Sequence, residues 1–280
     1  MALYDVRGRV ALITGGARGI GLAAGAALVG RGAVVALVDV AADEVADAAA
    51  RLGLDRAVGL GADVSDRSAI EGAVGAAVER FGGVDIVIAN AGIAPAAAPL
   101  RVMPSEEFER VIEVNLLGVY RTVRAGLEKV IARRGQVVLV SSVYAFVNGA
   151  MLSPYAVAKA GVEQLGRALR LELAPHGASA TVAYFGFVDT EMVRRGLEQR
   201  QLQGGGDEEA LPAFLRRRIT PEQAGEAVAA AIERRRARVM APRWWTGPSA
   251  LRGLLNPVFD YAGERSTRLQ DEVRRGERGH

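Results

Sequence analysis

The chain has 280 residues, half of them hydrophobic, with 35 Lys and Arg against 32 Asp and Glu, a net charge of +3. That length allows one large α/β domain with a substantial core, and a small charge spread over alternating arginines and acids argues against a nucleic-acid surface. Cysteine is absent and histidine occurs only at His176 and His280, so a disulfide framework, a thiolate nucleophile and a histidine metal cluster are excluded.

No uncharged apolar stretch reaches the roughly 18–20 residues that span a bilayer. The opening residues carry no signal-like pattern, so a cytoplasmic protein is expected. Valine-rich strands alternate with alanine-rich helices, the pattern of an α/β doubly wound parallel sheet. Strands are predicted near 10–14, 34–39, 57–62, 85–90, 136–142, 179–185 and 238–241, and helices near 19–31, 43–52, 66–80, 105–133, 154–174 and 221–236. Residues 1–242 read as a single domain and 243–280 as an extension.

The first strand, Arg9 to Ile13, runs into Thr14-Gly15-Gly16-Ala17-Arg18-Gly19-Ile20-Gly21 and then an alanine-rich helix. Glycines 15, 19 and 21 permit a tight turn, close approach to a pyrophosphate and tight helix–strand packing. The helix N-terminus adds free amides and the positive end of a dipole. The second strand ends at Asp39, eighteen residues after Gly21, where a carboxylate meets the hydroxyls of an adenosine ribose.

Val137-Val138-Leu139-Val140-Ser141-Ser142 reads as a buried parallel strand that delivers Ser142 to the edge where open α/β sheets bind ligands. Ser153-Pro154 follows as a helix start, with serine as N-cap and proline in the first turn. Tyr155 and Lys159 then share one helix face. The chain's only lysines are Lys129 and Lys159, so a lysine kept here among so many arginines suggests chemistry a guanidinium cannot perform. A nearby ammonium is expected to lower the Tyr155 pKa and fit it for proton transfer to or from an alcohol oxygen.

In these motifs the chain resembles the short-chain dehydrogenase/reductases, from about Val6 to about Pro242. Thr14 to Gly21 resemble the family's T-G-x-x-x-G-x-G cofactor loop, including Gly15, Ala17, Arg18, Gly19, Ile20 and Gly21. Asp63 and Val64 resemble its adenine-contacting pair, and Asn90-Ala91-Gly92 its N-A-G turn. Asn115 is similar to the helix asparagine that holds a relay water. Gly186, Val188 and Thr190 resemble the segment that binds the nicotinamide carboxamide. Phe185 stands where the family usually has proline, and Ala89 where it often has asparagine.

The resemblance implies a Rossmann-type sheet in the order 3-2-1-4-5-6-7 and a substrate lid at 189–218. It also implies a homodimer or homotetramer built on helices 105–133 and 154–174. The expected reaction moves a hydride between nicotinamide and a carbinol carbon. Tyr155 is then the acid/base, Ser142 bonds the substrate oxygen, Lys159 holds the ribose and tunes Tyr155, and Asn115 completes the catalytic set. Relatives that keep the fold only as cofactor sensors typically lose the tyrosine or lysine, and this chain keeps both. Asp39 favours NAD over NADP, with Arg18 the one contrary feature.

Pocket candidates Ala94, Ala96, Phe146, Val147, Met151, Phe187, Met192 and Leu197 are apolar, which favours a hydrophobic secondary alcohol or ketone. The alternative is an NADPH-dependent reductase of ketones such as 3-oxoacyl thioesters. The tail carries Trp244, Trp245 and an amphipathic run through Leu251, Leu254, Leu255 and Val258, which Pro257 is expected to break. Packing on the domain or a neighbouring subunit is favoured for it. Covering the cleft with its tryptophans and lying on a membrane surface remain open. Residues 264–280 are expected to fray.

Overall fold

The structure, a computed structural model, describes residues 3–194 and 218–278. Strands β1 (Val10–Thr14), β2 (Val34–Asp39), β3 (Ala57–Gly61), β4 (Ile86–Ala89), β5 (Gln136–Ser142), β6 (Ser179–Phe185) and β7 (Arg238–Ala241) form a seven-stranded sheet. All neighbouring strands run parallel, in the order β3-β2-β1-β4-β5-β6-β7. The order reverses between β1 and β4, and open sheets of this kind bind ligands at the carboxyl ends of the strands beside that reversal.

Both sheet faces are buried, which is why the strands read as nearly continuous apolar runs. Ala11, Ile13, Val35 and Leu37 face one side, packed by α1 (Gly19–Val29), α2 (Ala42–Leu52) and α7 (Pro221–Glu233). Leu12, Ala36 and Val38 face the other, packed by α3 (Arg67–Phe81), α5 (Gly118–Ala132) and α6 (Ser153–Leu173). Polar caps set several of these starts. Asp66 accepts from Ser68 N at 2.8 Å and Ala69 N at 3.2 Å to open α3, and Thr220 with Gln223 forms a reciprocal box at α7.

Four expectations are corrected. Ser153 is the first residue of α6 rather than its cap, and its buried hydroxyl has no protein partner. The helix predicted at 105–133 is α4 (Ser105–Ile112) and α5, joined by a π-helical turn at Glu113–Leu117 around Asn115. The Asn115 amide explains the turn: it accepts from Ile93 N at 2.7 Å and donates to Ile93 O at 2.8 Å, a tie that widens the helix locally.

In the tail, α8 (Thr246–Glu264) runs through Pro257 without stopping. Contacts on both sides of the proline hold it: Arg252 pairs with Glu163 at 2.8 Å, Asn256 donates to Phe146 O at 2.9 Å, and Asn148 donates to Asp260 at 2.9 Å. In place of frayed chain, Thr267–Arg278 form a further helix, α9. The lid expected at 189–218 and the pocket candidate Leu197 fall largely or wholly outside the described residues. Among the described residues no helix is long and apolar enough to cross a membrane.

The amino end of the sheet is tied by one carboxylate. Asp85 is fully buried and accepts from Val10 N at 3.0 Å, Arg9 at 2.7 Å and Arg133 at 3.3 Å. Its removal leaves a buried amide and two arginines without their partner, so Asp85→Ala should cost about 3 kcal/mol, near the range for broken buried pairs. Because Asp85 lies at the end of β4 away from Asn90, turnover per folded molecule should be unchanged. Thermal unfolding alongside active-site titration checks both halves.

Candidate active site

The groove begins at the turn between β1 and α1. Gly15 and Gly19 take left-handed φ values of +67° and +58°, conformations that glycine adopts without strain. A Cβ on Gly21 would strike the Gly15 carbonyl, so the helix meets the loop at a separation only glycine allows. The Asn90 amide donates to Thr14 O at 3.0 Å and Gly15 O at 3.1 Å, and Asn90 N and Ala91 N donate to the Thr14 hydroxyl. Asn90 thus shapes the loop rather than reaching away from it. No side chain caps α1, and its first amides face the cradle these glycines leave open.

Asp39 stands at the end of β2, one carboxylate oxygen accepting from Ala17 N at 3.1 Å and the other from Ala41 N at 3.2 Å. Arg18 is engaged by two acids, Glu44 at 2.6 Å and Glu191 at 3.4 Å. Asp63 accepts from Ser65 N at 2.8 Å, while Val64 is buried against Gly118. Across the groove, the Thr190 methyl lies 3.4 Å from where a Cβ on Gly19 would stand. Val188 bridges to Ile219, and Gly186 N donates to Ala241 O at 3.0 Å. A glycine cradle with a carboxylate at the second strand is a set that fits an adenine dinucleotide.

The polar groups at the edge of β5 converge with those of α6. Ser142 is buried; its hydroxyl donates to Phe185 O at 3.3 Å and accepts from Tyr144 N at 3.3 Å. Phe185 ends β6 in strand pairing and packs its ring into the core, so the residue standing where the family has proline belongs to the sheet. Lys159 is buried and donates to Val140 O at 3.0 Å, while the Ser141 hydroxyl donates to Lys159 O at 2.8 Å. Its ammonium lies 5.5 Å from the centroid of the Tyr155 ring. Gly92 completes the cluster: a Cβ there would stand 3.1 Å from Asn115 Oδ1 and 3.7 Å from Lys159 Nζ.

The electrostatics differ from expectation. Burial pushes the Tyr155 phenol up to about 12, with its Ser142 hydrogen bond pulling the other way. Burial also brings Lys159 down to about 8. The spacing alone predicts a lowered phenol. In the folded chain, however, the ammonium is directed to the Val140 carbonyl and sits over the ring, so desolvation outweighs its pull.

Sequence reasoning missed three contributors, and carried a fourth, Trp245, only as one reading of the tail. Ser141 fastens α6 to β5, and only the doubled serine hinted at it. Tyr144 meets Tyr155 edge-on at 5.9 Å. Glu107 accepts from Ala96 N at 2.6 Å, holding the loop after Gly92. Trp245 packs on Gly186, where a Cβ would come within 2.6 Å of its indole nitrogen, and meets Phe146 at 6.2 Å.

Comparison with known proteins agrees with this architecture. A family model described as short chain dehydrogenase matches residues 9–201. A cis-4-hydroxycyclohexanecarboxylate dehydrogenase of Sinomonas cyclohexanicum is 39% identical over 188 residues, covering 66% of this chain and 75% of that protein. A (-)-trans-carveol dehydrogenase of Rhodococcus erythropolis is 37% identical over 205 residues, covering 68% of this chain and 74% of that one. The crystal structure of a 3-ketoacyl-(acyl-carrier-protein) reductase from Brucella melitensis complexed with NADH superposes with a TM-score of 0.74 at 26% identity, covering 84% of this chain and 97% of that chain. The chain therefore belongs to the short-chain dehydrogenase/reductase family, oxidoreductases that interconvert alcohols and ketones with a nicotinamide dinucleotide.

Proposed function

We propose that this enzyme interconverts a hydrophobic secondary alcohol and its ketone with NAD, using Tyr155 as acid/base. The observation that carries the reading is the convergence of Ser142, Tyr155 and buried Lys159 at the carboxyl edge of β5, beside the glycine cradle. Two relatives named for alicyclic alcohols support the substrate class. The alternative, reduction of 3-oxoacyl thioesters, is favoured by the likeness to a 3-ketoacyl reductase.

Gly15 to Gly21, Asp39, Asp63, Val64, Lys159, Gly186, Val188 and Thr190 would hold the dinucleotide. Bound there, it supplies the hydride acceptor for oxidation and the donor for reduction. Ser142 orients the substrate oxygen and donates to charge developing on it. Tyr155, a phenol at neutral pH, gives its proton to a carbonyl oxygen in reduction and must lose that proton before accepting one from an alcohol. The Asn115 side chain ties the π-turn to Ile93 beside Gly92, and from that seat Asn115 would hold the water of the proton relay. The exposed Leu117, Tyr120, Val157 and Leu171 on the central helices suit a homo-oligomer, as the family expectation has it.

Tyr155→Phe should lower turnover in both directions by at least ~10²-fold while dinucleotide binding persists. In the parent, kcat/KM for alcohol oxidation should rise with pH above neutrality, and ketone reduction should fall at the alkaline end. Steady-state pH profiles in both directions, with nucleotide fluorescence titration of the variant, check this. Equal activity of parent and variant would remove Tyr155 from the mechanism.

Lys159 carries an opposite signature for stability. Its folded pKa, about 8, lies below the ordinary 10.5, so between these values the unfolded chain binds more protons and this group's contribution to stability rises with pH. Below about pH 8 its burial penalty is fully present. Lys159→Met should abolish turnover yet raise Tm at pH 7, and the gain should shrink as pH climbs toward 10. Melting curves across that range measure it.

Asp39, at the end of β2, would face the extra phosphate of a bound NADP, and Arg18 is already held by Glu44 and Glu191. NAD should be preferred, Asp39→Ser should narrow the preference, and Asp39→Ser with both Glu44→Gln and Glu191→Gln should reverse it by freeing Arg18. kcat/KM with both cofactors decides; an NADP preference in the parent overturns the assignment.

A further inference from the structure

Three loops leave the candidate site, one from each of β4, β5 and β6, and the C-terminal extension touches all three. On the β6 side, Trp245 lies on Gly186. On the β5 side, Asn256 donates to Phe146 O at 2.9 Å and Asp260 accepts from Asn148 at 2.9 Å. On the β4 side, α9 reaches Pro99: a Cβ on Gly276 would stand 2.8 Å from Pro99 Cδ and 3.3 Å from Met151 Cε. The last contact spans two loops at once, because Ala98 N donates to Met151 O at 3.0 Å and joins them.

The junction is built for close approach. Pro99 is buried although it lies in a loop, next to the exposed Leu100. Met151 holds a φ of +66°, uncommon for a residue with a side chain, four positions before Tyr155. Gly276 is the one residue of α9 without a side chain to hold the helix away from both. Glu277 adds an ion pair to Arg101 at 3.5 Å. At its other end the extension is anchored to the helix that carries Tyr155, by Arg252 on the buried Glu163.

We propose that α8 and α9 form the outer wall of the substrate cleft and that the seat of Gly276 on Pro99 and Met151 limits substrate size. The inference rests on the secondary-alcohol reading above and deepens it. A cleft closed on this side would admit a compact alicyclic alcohol and exclude a long acyl thioester. Adding a side chain at residue 276 lifts the helix from its seat, because Pro99 is backbone-fixed and buried and cannot turn aside. Gly253, on the same extension, has open space around the corresponding position and provides a matched control.

The test compares the full-length parent, Gly276→Val and Gly253→Val for oxidation of cyclohexanol and of 4-cyclohexylcyclohexanol with NAD, reading kcat, KM and Tm. The parent and Gly253→Val should favour cyclohexanol. Gly276→Val should move the kcat/KM ratio toward the larger alcohol by about tenfold or more, chiefly through KM, the scale on which the fit of a hydrophobic pocket discriminates between substrates. A ratio in Gly276→Val that matches Gly253→Val within about twofold overturns the wall while leaving the substrate reading intact. A parent that oxidises neither alcohol overturns that reading and this inference with it. Should Gly276→Val fail to fold, Gly276→Ala makes the same Cβ contact and decides on the same ratio.

Discussion

The seat of Lys159 is the interaction on which the site depends. Its ammonium bonds the Val140 carbonyl and its own carbonyl accepts from Ser141, so side chain and backbone together fasten α6 to the end of β5. That attachment brings Tyr155 beside Ser142 and leaves the ammonium against the face of the ring. A buried cation held by one carbonyl is costly, and the lowered pKa is the measure of that cost. Stability is given up at the place where the candidate catalytic groups meet.

The scaffold makes this cost tolerable. Apolar layers on both faces of the sheet are continuous, and the charged tie at Asp85 sits at the amino end, far from the chemistry. At the carboxyl end the polar groups serve one another: Thr14 with Asn90, Asn115 with Ile93, Asp39 with Ala17. Each tie fixes a loop that a dinucleotide or substrate would touch, so the cleft is set before anything enters it.

The sheet and the cofactor loop were legible because their physics is local. Doubly buried strands must be apolar throughout, and Gly15, Gly19 and Gly21 stand where backbone geometry or contact distance admits no side chain. The pairing of Tyr155 with Lys159 was legible as a shared helix face. Where Nζ points was not, because spacing along a helix says nothing about a carbonyl on a neighbouring strand. The π-turn at Asn115 was hidden for the same reason: its cause is Ile93, twenty-two residues away in sequence. In the extension, Pro257 argued for a break that Arg252, Asn256 and Asp260 override through contacts to Glu163, Phe146 and Asn148.

Because Lys129 and Lys159 are the only lysines, the central claim can be read from a two-line spectrum. Lysine labelled at the ε-position gives two resonances, and Lys129→Arg leaves only that of Lys159. Followed through a pH titration by NMR, the remaining resonance should change with a midpoint near 8, as burial against Val140 requires. A midpoint at or above the ordinary 10.5 would mean that the ammonium is solvated, and the account of how α6 and β5 build the site would fail.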